Sequence, residues 1–215
     1  MTTETPTLIL ASASPRRQAF LRLLGIPFRV RPAHVDERPY PGERPDLLAL
    51  RLSWAKAYAV AREEEGVILA ADTLVVLDGQ VLGKPKDPQE ARAMLRALRG
   101  RWHTVYTGLT LLDARHTPRA SSLVDAARVR MRDYSDAAID AFVESGKALD
   151  KAGAYAIQDE DFAPVARIEG CMATVMGLPV ARLLPLLADV GIPLPEDPTR
   201  ACRHFFGHCC LLGEG

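Results

Sequence analysis

The chain opens with an apolar run, Thr7 to Ala11, that passes directly into Ser12-Ala13-Ser14-Pro15-Arg16-Arg17. A run of this length suits a buried strand. Ser14 and Pro15 suit an N-cap and a first helical position. Phe20, Leu23 and Leu24 recur at helical spacing, and Gly25 suits the left-handed residue that closes a helix. The opening is therefore strand, tight loop, helix.

The rest of the chain continues the alternation. Phe28 to Arg31 reads as a second strand, followed by a Pro- and Gly-rich loop from Pro39 to Pro45. Leu48, Leu52, Ala55 and Ala59 mark one face of a helix that runs to about Glu64. Val67 to Ala71 reads as a buried strand. Thr73 to Leu77 and Gln80 to Leu82 read as a hairpin across Asp78-Gly79. Asp87-Pro88-Gln89-Glu90 is a capping-box-like start to a helix that ends at Gly100. Trp102 to Asp113 and Ser121 to Met131 have the β-branched content of long strands. Ser135 caps a helix to about Ser145. Short strands are expected at Ala154 to Ile157, Ala163 to Ile168 and Ala173 to Val175, then a Leu-rich helix from Pro179 to Val190. Strands interleaved with helices, with at least one hairpin, predict an α/β fold with a mixed sheet. Residues 1–190 form the expected domain. Residues 191–215 read as a tail, with three prolines and a Cys/His-rich end.

Composition limits the function classes. Of 215 residues, 48% are hydrophobic and 25% charged, as in an ordinary globular protein. Lys+Arg and Asp+Glu are both 27, which argues against a generic nucleic-acid binder, so any anion site must be local. No apolar stretch approaches the roughly 18 residues of a membrane helix, and the N-terminus lacks the basic region of a signal peptide. Four cysteines do not make a disulfide framework. The expectation is a cytosolic protein.

Several segments carry candidate chemistry. Arg16 and Arg17 fall in the first helical turn, where the helix dipole disfavours cations. A bound anion would resolve that conflict, with backbone N–H groups, the Ser12 and Ser14 hydroxyls and both guanidiniums converging on it. The alternative is that both arginines face solvent or pair with carboxylates elsewhere. Asp72 follows an apolar strand, the place where open α/β sheets put functional groups. It suits a general base or a metal ligand, or simply ends the strand. Asp36-Glu37 is a loop carboxylate pair of the kind Mg²⁺ takes together with phosphates and water, although adjacent loop acids are usually just solvated. Lys56 and Lys84, the latter within Gly83-Lys84-Pro85, are point-charge partners for phosphate or plain surface lysines. There is no phosphate-binding G-x-x-x-x-G-K-[ST] motif and no G-x-S-x-G. His103 reads as a packing or hydrogen-bonding residue. Asp150 to Gln158 packs charge, small residues and an amide into one turn, and Gln158 offers a donor and an acceptor side by side. Cys202, His204, His208, Cys209 and Cys210 have no zinc-finger spacing. Cys171 reads as a small buried residue.

In order, these segments resemble the Maf family of nucleoside triphosphate pyrophosphatases. The resemblance rests on Leu8 to Arg17, Val35-Asp36-Glu37, Lys56, Ala71-Asp72-Thr73, Gly83-Lys84-Pro85, His103, Thr107-Gly108, Asp150 to Tyr155 and Gly177-Leu178-Pro179. It implies an elongated α/β fold with a mixed, twisted sheet and a central cleft. It also implies cleavage of a nucleoside triphosphate between its α- and β-phosphates, with a divalent cation, Mg²⁺ or Mn²⁺. Asp72 matches the family's proton acceptor, and Arg16, Thr73 and Gln158 match residues that tune base preference. Arg, Thr and Gln at these places resemble the dTTP/UTP branch rather than the 7-methyl-GTP branch. On this reading Ser14, Arg16, Arg17, Lys84 and Lys56 hold the triphosphate, Glu37 and Asp72 hold the metal, and Thr73 and Gln158 meet the base. A homodimer is allowed for.

Two departures stand out. Asp159-Glu160-Asp161 replaces a Gly-rich stretch, and Gly170-Cys171-Met172-Ala173-Thr174-Val175 replaces a Gly-Ser-Tyr, then Asn-Val pattern. They leave two alternatives: a 7-methyl-GTP or broad noncanonical-nucleotide pyrophosphatase, and a weakly catalytic nucleotide-binding regulator of cell division.

Overall fold

A computed structural model of the protein describes residues 6–115 and 117–207. His208, Cys209 and Cys210 of the sequence analysis lie outside them. In chain order the elements are β1 (Leu8–Leu10), α1 (Pro15–Leu23), β2 (Phe28–Val30), α2 (Pro45–Ala61), β3 (Val67–Leu77), β4 (Gln80–Leu82) and α3 (Pro88–Leu98). Then come β5 (Trp102–Asp113), β6 (Arg119–Met131), α4 (Asp136–Glu144), β7 (Val165–Glu169), α5 (Met172–Val175), α6 (Val180–Asp189) and α7 (Arg200–Phe206). Among the described residues no helix is long and apolar enough to cross a membrane.

The strands form one mixed sheet in the order β2-β1-β3-β5-β6-β7, with β4 paired to β3. β1 is parallel to β2 and β3, and the pairs β3/β5, β5/β6 and β6/β7 are antiparallel. The α/β mixed sheet expected from the sequence is what the chain forms.

Alternation along the strands decides which residues meet which layer. Leu69, Ala71 and Leu109 face one side, in a core closed by Phe20 and Leu21 of α1, Leu183 and Leu187 of α6, and Ala201 and Cys202 of α7. Val75, Leu77, Val105 and Val129 face the same side further along, in a second core under α3 and α4. Ile68, Ala70 and Leu112 face the other side, with Ala57 and Val60 of α2. Helix α2 approaches so closely that a Cβ on Gly108 would stand 2.1 Å from the Ala49 carbonyl oxygen, so only glycine fits there.

Five local expectations change. Residues 67–77 are one strand, so Asp72 lies inside β3 rather than after its end. Residues 154–157 are not a strand. A 3₁₀ turn occupies Ala152–Ala154, where Gly153 and Ala154 both have positive φ and the Gly153 N–H reaches the Gly83 carbonyl at 3.0 Å. Residues 173–175 are part of helix α5. Cys171 is half-buried against the first core rather than fully buried. The segment set apart after residue 190 includes α7, whose Phe205 ring packs 4.9 Å from Phe20.

The caps separate by partner. Asp87 and Ser135 accept from the N–H groups of Glu90 and Ala138 as expected. Glu90 reaches back to the Lys86 N–H rather than to that of Asp87. Ser14 holds the N-cap position of α1 but its side chain makes no cap bond.

In the second core His103 is buried, with Nε2 2.6 Å from the Tyr155 hydroxyl and Nδ1 unpartnered. Burial pushes its imidazole down from 6.5 to about 4. The unfolded chain therefore binds the proton between those values while the fold does not, and stability falls as pH falls through that window. At pH 5 the loss is about 2 kcal/mol. Urea unfolding at pH 7 and pH 5 should show this loss in the wild type and a smaller one in His103→Phe. An equal pH dependence in the two proteins contradicts it.

Candidate active site

The edge of β3 is split. Strand β1 pairs with it only as far as Leu69, and β4 begins at Val75. Between them neither strand covers β3 on that side, and Asp72 and Thr73 lie in the gap. Alternation sends Asp72 toward α2 and Thr73 toward α1 and α5, so one opening receives groups from both faces of the sheet. The loop Ser12–Ser14 leaves β1 beside it.

On the α2 side Lys56 Nζ stands 2.5 Å from Asp72 Oδ1 and 2.6 Å from Glu37 Oε1. The Lys56 and Asp72 side chains are 12% and 10% exposed, whereas Glu37 is 61% exposed. Gly108 is the cross-strand partner of Asp72, and its missing side chain lets α2 come close enough for this contact. Asp36 turns away: the Arg38 guanidinium grips both of its oxygens and holds it near pH 2. Of the carboxylate pair, only Glu37 joins the site.

On the α1 side Arg17 is buried. Its Nε donates to the Gly177 carbonyl at 2.7 Å, Nη1 to Ser12 Oγ at 2.9 Å and Nη2 to Thr73 Oγ1 at 3.1 Å. Gly177 has φ +93°, and a Cβ there would meet Thr73 Oγ1 at 2.8 Å. Among the described residues no carboxylate lies within ion-pair distance of Arg17. Desolvation lowers its guanidinium to about 10, opposed by the field of Asp72, so it stays charged at neutral pH. A buried cation without a counter-ion costs several kcal/mol. Two of its five N–H bonds remain for a ligand.

The other sequence candidates are placed as follows. Arg16 follows Pro15 in α1, half-buried, and its Nε is buried without a partner. Ser14 donates its backbone N–H to Ser12 Oγ. Lys84 is exposed on a loop that the Gly83–Gly153 bond ties to residues 151–154. Gln158 is exposed and makes no hydrogen bond among the described residues. Thr73 has its hydroxyl engaged by Arg17 and Thr107. Of the acid run, Asp159 and Asp161 both pair with Lys147, at 3.2 and 3.0 Å, so one lysine contacts two of the three carboxylates and offsets one of their three charges.

Asp125 and Thr174 join the site without having been expected there from the sequence. Asp125 had a legible signal. It falls in the inward series Leu123, Asp125, Ala127, Val129, where a charge needs a partner. Its partners are Thr174 Oγ1 and Arg182.

No group of three or more His, Cys, Asp or Glu side chains converges among the described residues. The Asp72 and Glu37 carboxylates nonetheless converge on one cationic centre, the Lys56 ammonium. Two hard oxygen donors, with water and a polyanionic ligand, are the set Mg²⁺ or Mn²⁺ takes, so the residues fit such an ion.

The description "Maf-like protein" matches residues 7–190. Proteins named dTTP/UTP pyrophosphatase are similar along most of the chain. One from Anaeromyxobacter dehalogenans strain 2CP-C is 48% identical over 200 residues, covering 90% of this chain and 99% of its own. One from Thermomicrobium roseum is 47% identical over 209 residues, covering 95% and 94%. One from Aquifex aeolicus is 43% identical over 187 residues, covering 86% and 96%.

Breaking a buried pair is costly, whereas an exposed partner contributes little. Lys56→Met should lower the unfolding free energy by about 3 kcal/mol and Glu37→Gln by under about 1 kcal/mol. Denaturant unfolding checks both, and equal losses contradict the assigned burial.

Proposed function

The chain belongs to the Maf-like protein family, and we propose that it is a nucleoside triphosphate pyrophosphatase acting on dTTP and UTP. The products are the nucleoside monophosphate and pyrophosphate. The observation that carries this reading is the buried Arg17 guanidinium with no carboxylate beside it. A polyanion supplies the missing charge, and the relatives' printed substrates are polyanions of this kind.

The chemistry is water attack on the α-phosphorus. The water oxygen bonds to phosphorus, the bridging oxygen to the β-phosphate leaves with pyrophosphate, and the water's proton goes to a carboxylate. Asp72 is that carboxylate. Its Oδ1 faces Lys56, and Oδ2 makes no hydrogen bond among the described residues, so Oδ2 takes the proton. Arg17 is the fixed positive charge, and Arg16, Lys84 and Ser14 complete the phosphate contacts. Such placed cations supply most of the stabilisation in phosphoryl transfer. Glu37 and Asp72 would hold a Mg²⁺ or Mn²⁺ ion, which when bound neutralises phosphate charge and polarises the phosphoryl oxygens. Gln158, with its amide uncommitted, reads the base. Thr73 contributes mainly by holding Arg17. The nucleotide pool involved places the reaction in the cytoplasm.

Three acids near a triphosphate would repel it and so favour a binding-only regulator; Lys147, paired with Asp159 and Asp161, offsets one of the three charges.

Pyrophosphate release from dTTP, UTP, CTP and 7-methyl-GTP, with Mg²⁺ or Mn²⁺, tests the reading. Turnover should favour dTTP and UTP and fall by about 100-fold or more in Asp72→Asn. Unchanged turnover in that variant rejects Asp72 as the base, and no turnover on any triphosphate rejects the function. Gln158→Ala should change the ratio of dTTP to CTP turnover, and a constant ratio removes Gln158 from base selection.

A further inference from the structure

Between the two cores on one face of the sheet lies a polar row. Thr73, Thr107 and Asp125 are direct cross-strand partners on β3, β5 and β6, flanked by Ala71 and Leu109 on one side and Val75 and Val105 on the other. Thr107 and Thr174 are completely buried. Polar groups in such a place persist only when each has a partner.

The hydrogen bonds can be given directions. Thr107 Oγ1 donates its one proton to the Thr174 carbonyl at 2.8 Å. In the 3.0 Å contact between Thr73 and Thr107, Thr73 is therefore the donor. Thr73 then accepts from Arg17 Nη2. At the far end the Thr174 hydroxyl donates to Asp125 Oδ2, and Arg182 Nε donates to Oδ1 at 3.2 Å. The two sets of bonds meet at Thr174, whose carbonyl takes the bond from Thr107 and whose hydroxyl gives the bond to Asp125.

Helix α5 closes the circuit. It is a single turn, Met172–Val175, and the Gly177 N–H that follows it bonds the Thr174 carbonyl at 3.0 Å. Gly177 in turn presents the carbonyl that accepts from Arg17 Nε. So short a helix has little stability of its own, and its position depends on what ties it to the sheet. Among the described residues those ties include Thr107 to the Thr174 carbonyl and Asp125 to the Thr174 hydroxyl, beside the packing of Ala173 and Met176 in the first core.

We propose that Thr174 and Asp125 are positioning residues for Arg17: they pin the α5 turn to the sheet and so fix the Gly177 carbonyl and Thr73 hydroxyl that aim the guanidinium at the phosphate chain. Thr174 stands at one of the two departures from the family pattern, so in this chain a threonine hydroxyl bound to a strand carboxylate anchors the turn. The phosphate part rests on the function proposed above, and the positioning part does not.

The test uses Thr174→Val, which keeps the volume and the backbone carbonyl and deletes only the hydroxyl, with Asp125→Asn and the rescue variant Thr174→Ser beside it. The first readout needs no activity. The Arg17 Nε–H resonance, assigned by its loss in Arg17→Lys, should exchange slowly with solvent in the wild type and Thr174→Ser. It should exchange about tenfold faster or more in Thr174→Val and Asp125→Asn. Equal exchange in all of them overturns the positioning role. The second readout is steady-state pyrophosphate release. Thr174→Val should lower kcat/KM for dTTP about tenfold in the wild-type background and by less than about twofold in an Arg17→Lys background. An unchanged kcat/KM, or full additivity with Arg17→Lys, overturns action through Arg17. Faster exchange in a protein whose wild type turns over no triphosphate upholds the anchor and rejects the function. If Thr174→Val does not fold, Asp125→Asn carries both readouts with the same expected outcomes.

Discussion

A guanidinium with no counter-ion organises this molecule. Arg17 belongs to the first turn of α1, and its three committed donors end on groups far apart in the chain: Ser12 in the preceding loop, Thr73 on β3 and Gly177 after α5. Each is neutral. The side chain thereby holds three segments in register while no carboxylate among the described residues pairs with it directly. A fold that wanted only the cross-links could have used a neutral donor at lower cost, because desolvating a cation is far more expensive than desolvating an amide. The charge is retained at the one place where β3 is exposed between its two strand partners.

That gap explains why Asp72 and Arg17 share one opening without pairing with each other. Asp72 and Thr73 are adjacent, so the pleat sends them to opposite faces. Asp72 goes to Lys56 and Glu37 under α2, and Thr73 goes to Arg17 under α1. Direct pairing of Asp72 with Arg17 would have satisfied both and left no site. Separation by the backbone of one strand keeps an anion-accepting half and a cation-accepting half within reach of one ligand. A triphosphate with its metal has that dual character.

Much of this was legible in the sequence where the causes are local. The Ser-Pro start of α1, the Asp87 and Ser135 caps and the long strands β5 and β6 depend on residues within a turn or two of one another. Asp72 was misplaced at a strand end because a carboxylate in an apolar run reads as a stop. It is tolerated inside β3 because Lys56, on a different element, pairs with it. Residues 173–175 read as a strand from their composition. They form a helical turn because Asp125 and Thr107 hold Thr174 from the sheet. The turn at Gly153 and Ala154 is fixed by the Gly83 carbonyl and by the Tyr155–His103 contact, both distant in sequence. Arg17 was recognised as a candidate, but its burial depends on Gly177, 160 residues away, and no local pattern reports that.

Ligand-linked stability tests the central claim most directly. Thermal unfolding of the wild type and of Arg17→Met should be followed as inorganic pyrophosphate is raised from zero to millimolar concentration with Mg²⁺ held constant. A ligand that binds only the folded state raises the midpoint progressively. The wild type should rise with pyrophosphate and Arg17→Met should stay flat, whatever its starting midpoint. A rise of the same size in both proteins would show that the buried guanidinium is a structural cross-link and that the anion is held elsewhere.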